Sequence, residues 1–152
     1  MCLQLQRPSK PDTIEQEVER DRDKEFSVRV HHDCVLIDHC GRSDAAAAEV
    51  RVPQIQAAMQ QVFTQHGRIA TIHSLLNTHD IDFPSRSKYV ALAVEWSVRK
   101  PLWIVVVRNP AFRIIVRVAG LAAGQSVAVA SSMPQALRIA RQQGYQPDPA
   151  WQ

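Results

Sequence analysis

The segment Leu102 to Val107, Leu-Trp-Ile-Val-Val-Val, is apolar at every position. A strand of that composition has no polar face to turn toward water. Both faces must be covered, which is the condition of a parallel strand flanked by crossover helices. Two further strand-like runs, Arg68 to Leu76 and Ser126 to Ala130, alternate with amphipathic segments, and each junction carries a helix-start or helix-stop signal. The pattern is that of a small α/β domain.

The preceding half of the chain supplies a different kind of strand. Phe26-Ser-Val-Arg-Val30 alternates apolar and polar residues as a half-buried strand does, His-His-Asp makes a turn, and Cys34-Val-Leu-Ile37 returns. An antiparallel hairpin therefore opens the fold, with Gly41 as its expected end. Ala45 to Ala48 can form one helical turn, and Pro53 suits the first position of a helix running to His66, with Ile55, Met59, Val62 and Phe63 at helical spacing and Gly67 as its stop. After the Arg68 to Leu76 strand comes a polar loop, Asn77 to Asp82. A helix then opens near Pro84 or Ser85 and sets Tyr89, Leu92, Ala93 and Trp96 on one face. Asn109-Pro110 caps a third helix, and Ser131-Ser132-Met-Pro134 caps a last one that Gly144 closes.

These elements define a mixed five-stranded sheet, an opening antiparallel hairpin followed by largely parallel strands, with about four helices. The length of 152 residues suits one domain, which at this size buries roughly 70% of its unfolded surface. The expected organisation is a flexible charged leader over residues 1–24, a single α/β domain over 25–145, and an irregular tail over 146–152, where Pro147 and Pro149 stand. The leader is acidic, with seven Asp and Glu against five Lys and Arg in residues 1–25. From Ser97 onward seven bases face only Asp148. Arg113 and Arg117, like Arg138 and Arg141, lie about one helical turn apart, but no interleaved aromatics or DNA-binding motif accompany them, so nucleic acid is not an expected partner. No apolar run approaches the ~20 residues of a membrane span, and the first residues lack a signal peptide's basic start. The expected compartment is the cytoplasm, which suits three cysteines (Cys2, Cys34 and Cys40) without CxxC spacing.

The sequence carries no Gly-x-Ser-x-Gly elbow, no His-Glu-x-x-His and no Gly-rich phosphate loop, so catalysis has nothing specific in its favour. His31, His32, Asp33, Cys34, Asp38, His39 and Cys40 invite a metal reading. Strand geometry opposes it, because six residues at ~3.3 Å each hold Cys34 and Cys40 about 20 Å apart, whereas ligands of one zinc converge within about 4 Å. No cofactor or metal is expected. His73 and Ser74 fall inside a strand, as core or sheet-face residues.

The order strand, strand, helix, strand, helix, strand, helix, strand, helix resembles the STAS-like domains related to the sporulation anti-sigma-factor antagonist, over residues 26–143. The opening hairpin Phe26 to Ile37, the helix after Leu102 to Val107 with its small residues Ala119, Gly120, Ala122, Ala123 and Gly124, and Ser-Val-Ala-Val-Ala-Ser-Ser-Met-Pro-Gln-Ala-Leu carry the resemblance. It implies a non-enzymatic regulatory or protein-interaction module. In the family an Asp-Ser-Ser-Gly turn opens a helix and one of its serines is phosphorylated; the matching segment here is Asp82-Phe-Pro-Ser85-Arg-Ser87, in which Pro84 intervenes and the glycine is missing. Ser85 then either takes a phosphate at a helix N-terminus or simply caps the helix.

The expected contact surface for an unidentified protein partner is the segment from Asn77 to Ser87, with Asn77, His79, Asp80, Asp82, Ser85 and Ser87. Loops at strand ends carry function more often than strands do. The alternative is a small-molecule binder with an apolar pocket beneath the helices holding Tyr89, Trp96 and Phe112. Val90, Val94 and Val98 form a second apolar stripe on the Ser85 to Val98 helix, from which a homodimer is expected.

Overall fold

The computed structural model describes residues 26–152. The charged leader expected at 1–24 lies outside the described residues, as does Cys2. Strand β1 (Ser27–His31) and strand β2 (Cys34–Ser43) form the antiparallel hairpin, joined by a two-residue turn in which His32 takes the left-handed conformation at φ 49°. Helix α1 (Ala45–His66), strand β3 (Ala70–Ile81), helix α2 (Phe83–Glu95), a 3₁₀ turn (Ser97–Arg99), strand β4 (Leu102–Val106), helix α3 (Pro110–Ala122), strand β5 (Val127–Ala130) and helix α4 (Met133–Gln142) follow. The strands lie in the order β1-β2-β3-β4-β5, antiparallel at the first pair and parallel thereafter. The sheet is mixed and five-stranded, with four α-helices among the described residues.

Strand periodicity divides the core between the two faces. Cys34 and Leu36 of β2, Ala70 and Ile72 of β3, and Ile104 and Val106 of β4 face α4 and its Ala136, Leu137 and Ala140. The intervening residues Val35, Ile37 and Trp103 pack on the other face against Ile55, Met59 and Val62 of α1 and Leu92 and Trp96 at α2. Cover on both sides is what a wholly apolar β4 requires, with Trp103, Ile104 and Val106 buried and Leu102 and Val105 partly so, and each fully buried apolar side chain stabilises the fold by roughly 2 kcal/mol.

Three boundaries differ from the sequence reading. The hairpin does not end at Gly41: β2 runs on to Ser43, and β3 runs on to Ile81, because the two extensions pair with each other through register shifts after Asp38 and Gly41. Gly41 sits in this irregular stretch with φ 65°, a conformation open to glycine and strained for other residues. The loop expected from Asn77 to Asp82 is therefore mostly strand. The one-turn helix at Ala45 and the helix from Pro53 are a single helix, α1, capped where the Asp44 carboxylate accepts from Ala47 N–H at 2.8 Å. Proline inside a helix removes one hydrogen bond at about 3 kcal/mol, but Pro53 lies on the exposed side and the buried row Ala48, Ile55, Met59, Val62 continues past it.

The end of the chain has no helix or strand, yet it is fixed. Trp151 is buried in the α4-side core and its ring meets that of His31 at 6.1 Å. Asp33 Oδ1 accepts from the Gln146 backbone N–H at 2.9 Å, while Asp33 Oδ2 lies 3.4 Å from Arg68 Nε. The Arg68 guanidinium in turn stacks 3.8 Å above the Tyr145 ring. These contacts close the tail over the hairpin turn. No described helix is long and apolar enough to cross a membrane.

Candidate functional site

On the α1–α2 face of the sheet, the extension of β2 brings His39 into phase with Val35 and Ile37. The same alternation places His73 of β3 beside it, on the same face of the neighbouring strand. The two imidazoles meet at 3.1 Å, His39 Nε2 to His73 Nδ1, with ring planes 14° apart. Both histidines are buried. Burial pushes His73 down to about 4, and burial, His73 and the Arg51 charge together push His39 well below the usual imidazole range. Both rings are therefore neutral at pH 7.

A cavity of about 140 Å³ opens beside this pair, under α2 and α3. Leu75, Val105, Ile115, Val116, Ala119 and Val127 give it apolar walls, and His39, His73, Arg86, Tyr89 and Gln125 line it as well. Helix α3 closes it without being sunk into the core, since Gly120 is its one fully buried residue. A Cβ at Gly120 would lie 2.7 Å from Val127 Cγ2, so the missing side chain lets α3 approach β5 at that point. At the other end Asn109 caps the helix, accepting from Ala111 N–H, and Arg113 Nε donates to Val107 O at 3.4 Å. The outward face of α3 leaves Ile114, Val118 and Leu121 exposed by 65%, 59% and 78%.

Several polar atoms here lack partners. His73 Nε2, Arg86 Nε, the Tyr89 hydroxyl and Trp103 Nε1 are buried without a hydrogen bond, as is Arg51 Nη1 behind His39. The Tyr89 side chain packs edge-on to His39 at 5.3 Å. Burial raises the pKa of Tyr89, and its neighbours Ser43 and Arg51 partly offset that shift. Native interiors rarely leave such groups unsatisfied, because each costs about 1–3 kcal/mol.

The residues singled out in the sequence fall in three places. Asn77, His79 and Asp80 stand on the exposed edge of the β3 extension, where Asp80 pairs with Arg42 at 3.6 Å. Asp82 is the N-cap of α2, and its Oδ1 accepts from Ser85 N–H at 2.9 Å. Ser85 does not cap the helix: it is 0% exposed, with its hydroxyl 2.7 Å from that of Ser43. Ser87 is exposed and donates to Phe83 O.

Of the three pocket residues, only Tyr89 lines the cavity. Trp96 belongs to the core under α1, where its ring meets Phe63 at 6.0 Å, because the helix turns its last residue toward α1 and away from α3. Phe112 flanks a separate depression with Thr78, His79 and Asn109. The valine stripe also divides, with Val90 lining the cavity while Val94 and Val98 are exposed. The histidine pair escaped the sequence reading, since the return strand as read, Cys34 to Ile37, stops short of His39 and carries no register against β3.

Cys34 is a poor nucleophile. Burial and the adjacent Asp33 carboxylate push its thiol up to about 12.

No family model matches the sequence, and no curated protein matches it. Among solved structures, the chain is similar to the anti-sigma factor antagonist SpoIIAA in its unphosphorylated form, with a TM-score of 0.57 at 17% identity, covering 79% of this chain and 99% of that one. It is similar also to a DUF3478-family protein with a SpoIIAA-like fold from Shewanella loihica PV-4, with a TM-score of 0.56 at 12% identity, covering 76% and 91%. At such identities the likeness is one of architecture: the chain has the SpoIIAA-like fold.

Proposed function

We propose that this chain is a non-enzymatic regulatory module of STAS type that works by protein contact, and that its contact surface is the outer face of α3. The observation that carries this reading is the row Ile114, Val118, Leu121, spaced along one face of a helix and left in water. Val94 and Val98 add exposed apolar surface from the neighbouring helix and its following turn. The occupant is a second copy of the chain, whose apolar row would meet its symmetry mate while the exposed Arg117 beside it stays at the edge of the contact in water. The Cys34 thiol, kept protonated by burial and by Asp33, supports a binding role over one of nucleophilic catalysis.

Light scattering at roughly 50 μM, above ordinary dimer dissociation constants, tests it. The expected result is a dimeric mass that Val118→Asp converts to a monomer with an unchanged circular dichroism spectrum. A monomeric wild type refutes the second copy as occupant. A phosphate that regulates the contact belongs on the exposed Ser87, since Ser85 is enclosed.

The cavity beneath the same helix favours a second reading, a site for a small apolar ligand. Native mass spectrometry of the protein from its host would detect a retained molecule.

A further inference from the structure

The ligand reading leaves the chemistry of the ligand open, and the unpaired atoms narrow it. Of the residues lining the cavity, Arg86 Nε and Trp103 Nε1 can only donate, and the Tyr89 hydroxyl can do so. If His39 Nε2 carries the proton of the His39–His73 hydrogen bond, neutral His73 holds its own proton on Nε2, which makes a further donor. The unsatisfied groups of this region are thus weighted toward donors, and no Asp or Glu lines the cavity. None of the ion pairs among the described residues involves Arg51 or Arg86.

The Arg86 guanidinium, without an ion-pair partner among the described residues, lines the cavity beside neutral donors and apolar walls, and no carboxylate faces it. An anion placed in a purely apolar cavity would be strongly disfavoured, but this charge and these donors replace the water it gives up. Size adds a limit. A dry cavity of about 150 Å³ in another protein holds benzene, and the present one has about 140 Å³.

We propose that the cavity binds a small apolar carboxylate, about the size of a benzene ring with one acid group, whose carboxylate meets Arg86, Tyr89 and His73 while its body lies against Leu75, Val105, Ile115, Val116 and Val127. The proposal rests on the apolar-ligand reading above. The carboxylate brings four lone-pair sites to a cluster of donors, and so satisfies several at once. Alcohols or hydrocarbons of the same size would fill the volume and leave Arg86 unpaired.

The probe is benzoate, with toluene as the uncharged counterpart, titrated into the purified chain by calorimetry and by amide-shift mapping at pH 7. Benzoate should bind at least tenfold tighter than toluene and shift amides of β3, α2 and α3. Arg86→Gln should weaken benzoate about tenfold or more and leave toluene unchanged, the size expected for a lost hydrogen bond to a charged group. Tyr89→Phe, which keeps the ring packing, should weaken benzoate by a smaller factor and serves if Arg86→Gln does not fold. Equal affinity for benzoate and toluene, or benzoate binding indifferent to both substitutions, overturns the carboxylate assignment while the apolar-ligand reading stands. Binding of neither probe overturns both.

Discussion

Acid should unfold this protein earlier than its carboxylates alone would, because His39 and His73 are held neutral. A histidine whose folded pKa lies below its unfolded one binds fewer protons when folded. Its stabilising effect is complete above the unfolded value near 6.5 and is lost as the pH falls. With His73 down at about 4 and His39 also well below its usual range, neither ring takes up a proton in the folded state at pH 5. In the unfolded chain both do. Linkage then gives about 2 kcal/mol lost for His73 between pH 7 and pH 5, and His39 adds a loss of the same sign, together a large share of the 5–15 kcal/mol of an ordinary domain. Ordinary carboxylates titrate near pH 4 when unfolded, so this window isolates the histidines. Urea denaturation at pH 7, 6 and 5 reads the loss as a falling midpoint at constant slope. In His73→Gln the loss over the same interval should shrink by about 2 kcal/mol, since the His73 contribution is removed. A wild-type loss below about 1 kcal/mol, or a His73→Gln variant with the full wild-type loss, would refute the reasoning.

Gly120→Ala should lift α3 from β5 and destabilise by about 1–3 kcal/mol, seen as a lower urea midpoint, because its new methyl meets Val127 Cγ2 at 2.7 Å. Trp151→Ala should cost about 3–5 kcal/mol in the same assay, an effect expected of a core residue and unexpected of a free tail. Ser85→Glu should unfold the chain or lower its melting temperature sharply, since the carboxylate would be enclosed beside Ser43, whereas Ser87→Glu should stay within about 0.5 kcal/mol of wild type.

The parts of the fold that could be read from the sequence were those governed by local periodicity and capping. Leu102 to Val107 announced a strand covered on both sides, and Asn109 and Ser132 sit at the N-caps where their side chains suggested. Pairing between distant segments was hidden. Asn77 to Ile81 has the composition of a loop, and it becomes a strand because the end of β2 offers it a hydrogen-bonding partner. Pro53 likewise reads as a helix start, until the buried row on either side carries the helix through it. The candidate site suffered most from the same cause. His39 acquires its neighbour only when β2 is extended past Ile37 and laid in register with β3, where Ile37 pairs with His73, so parity along that longer strand would have revealed the pair. The aromatic residues chosen instead marked helices correctly but not the direction in which each faces, and Trp96 turns toward α1.

The tail latch ties together parts of the chain that are made at different times. Asp33 and Gln146 are 113 residues apart, which at about 5–20 residues per second is an interval of roughly 6–23 s during synthesis. Until then the segment around Asp33 lacks the Gln146 amide and the Trp151 ring, and the Asp33 carboxylate has the Cys34 thiol and Arg68 as its partners. Residues 146–152 therefore cover the hairpin turn from the far end of the sheet, and a chain lacking them keeps every described strand and helix but leaves that turn open.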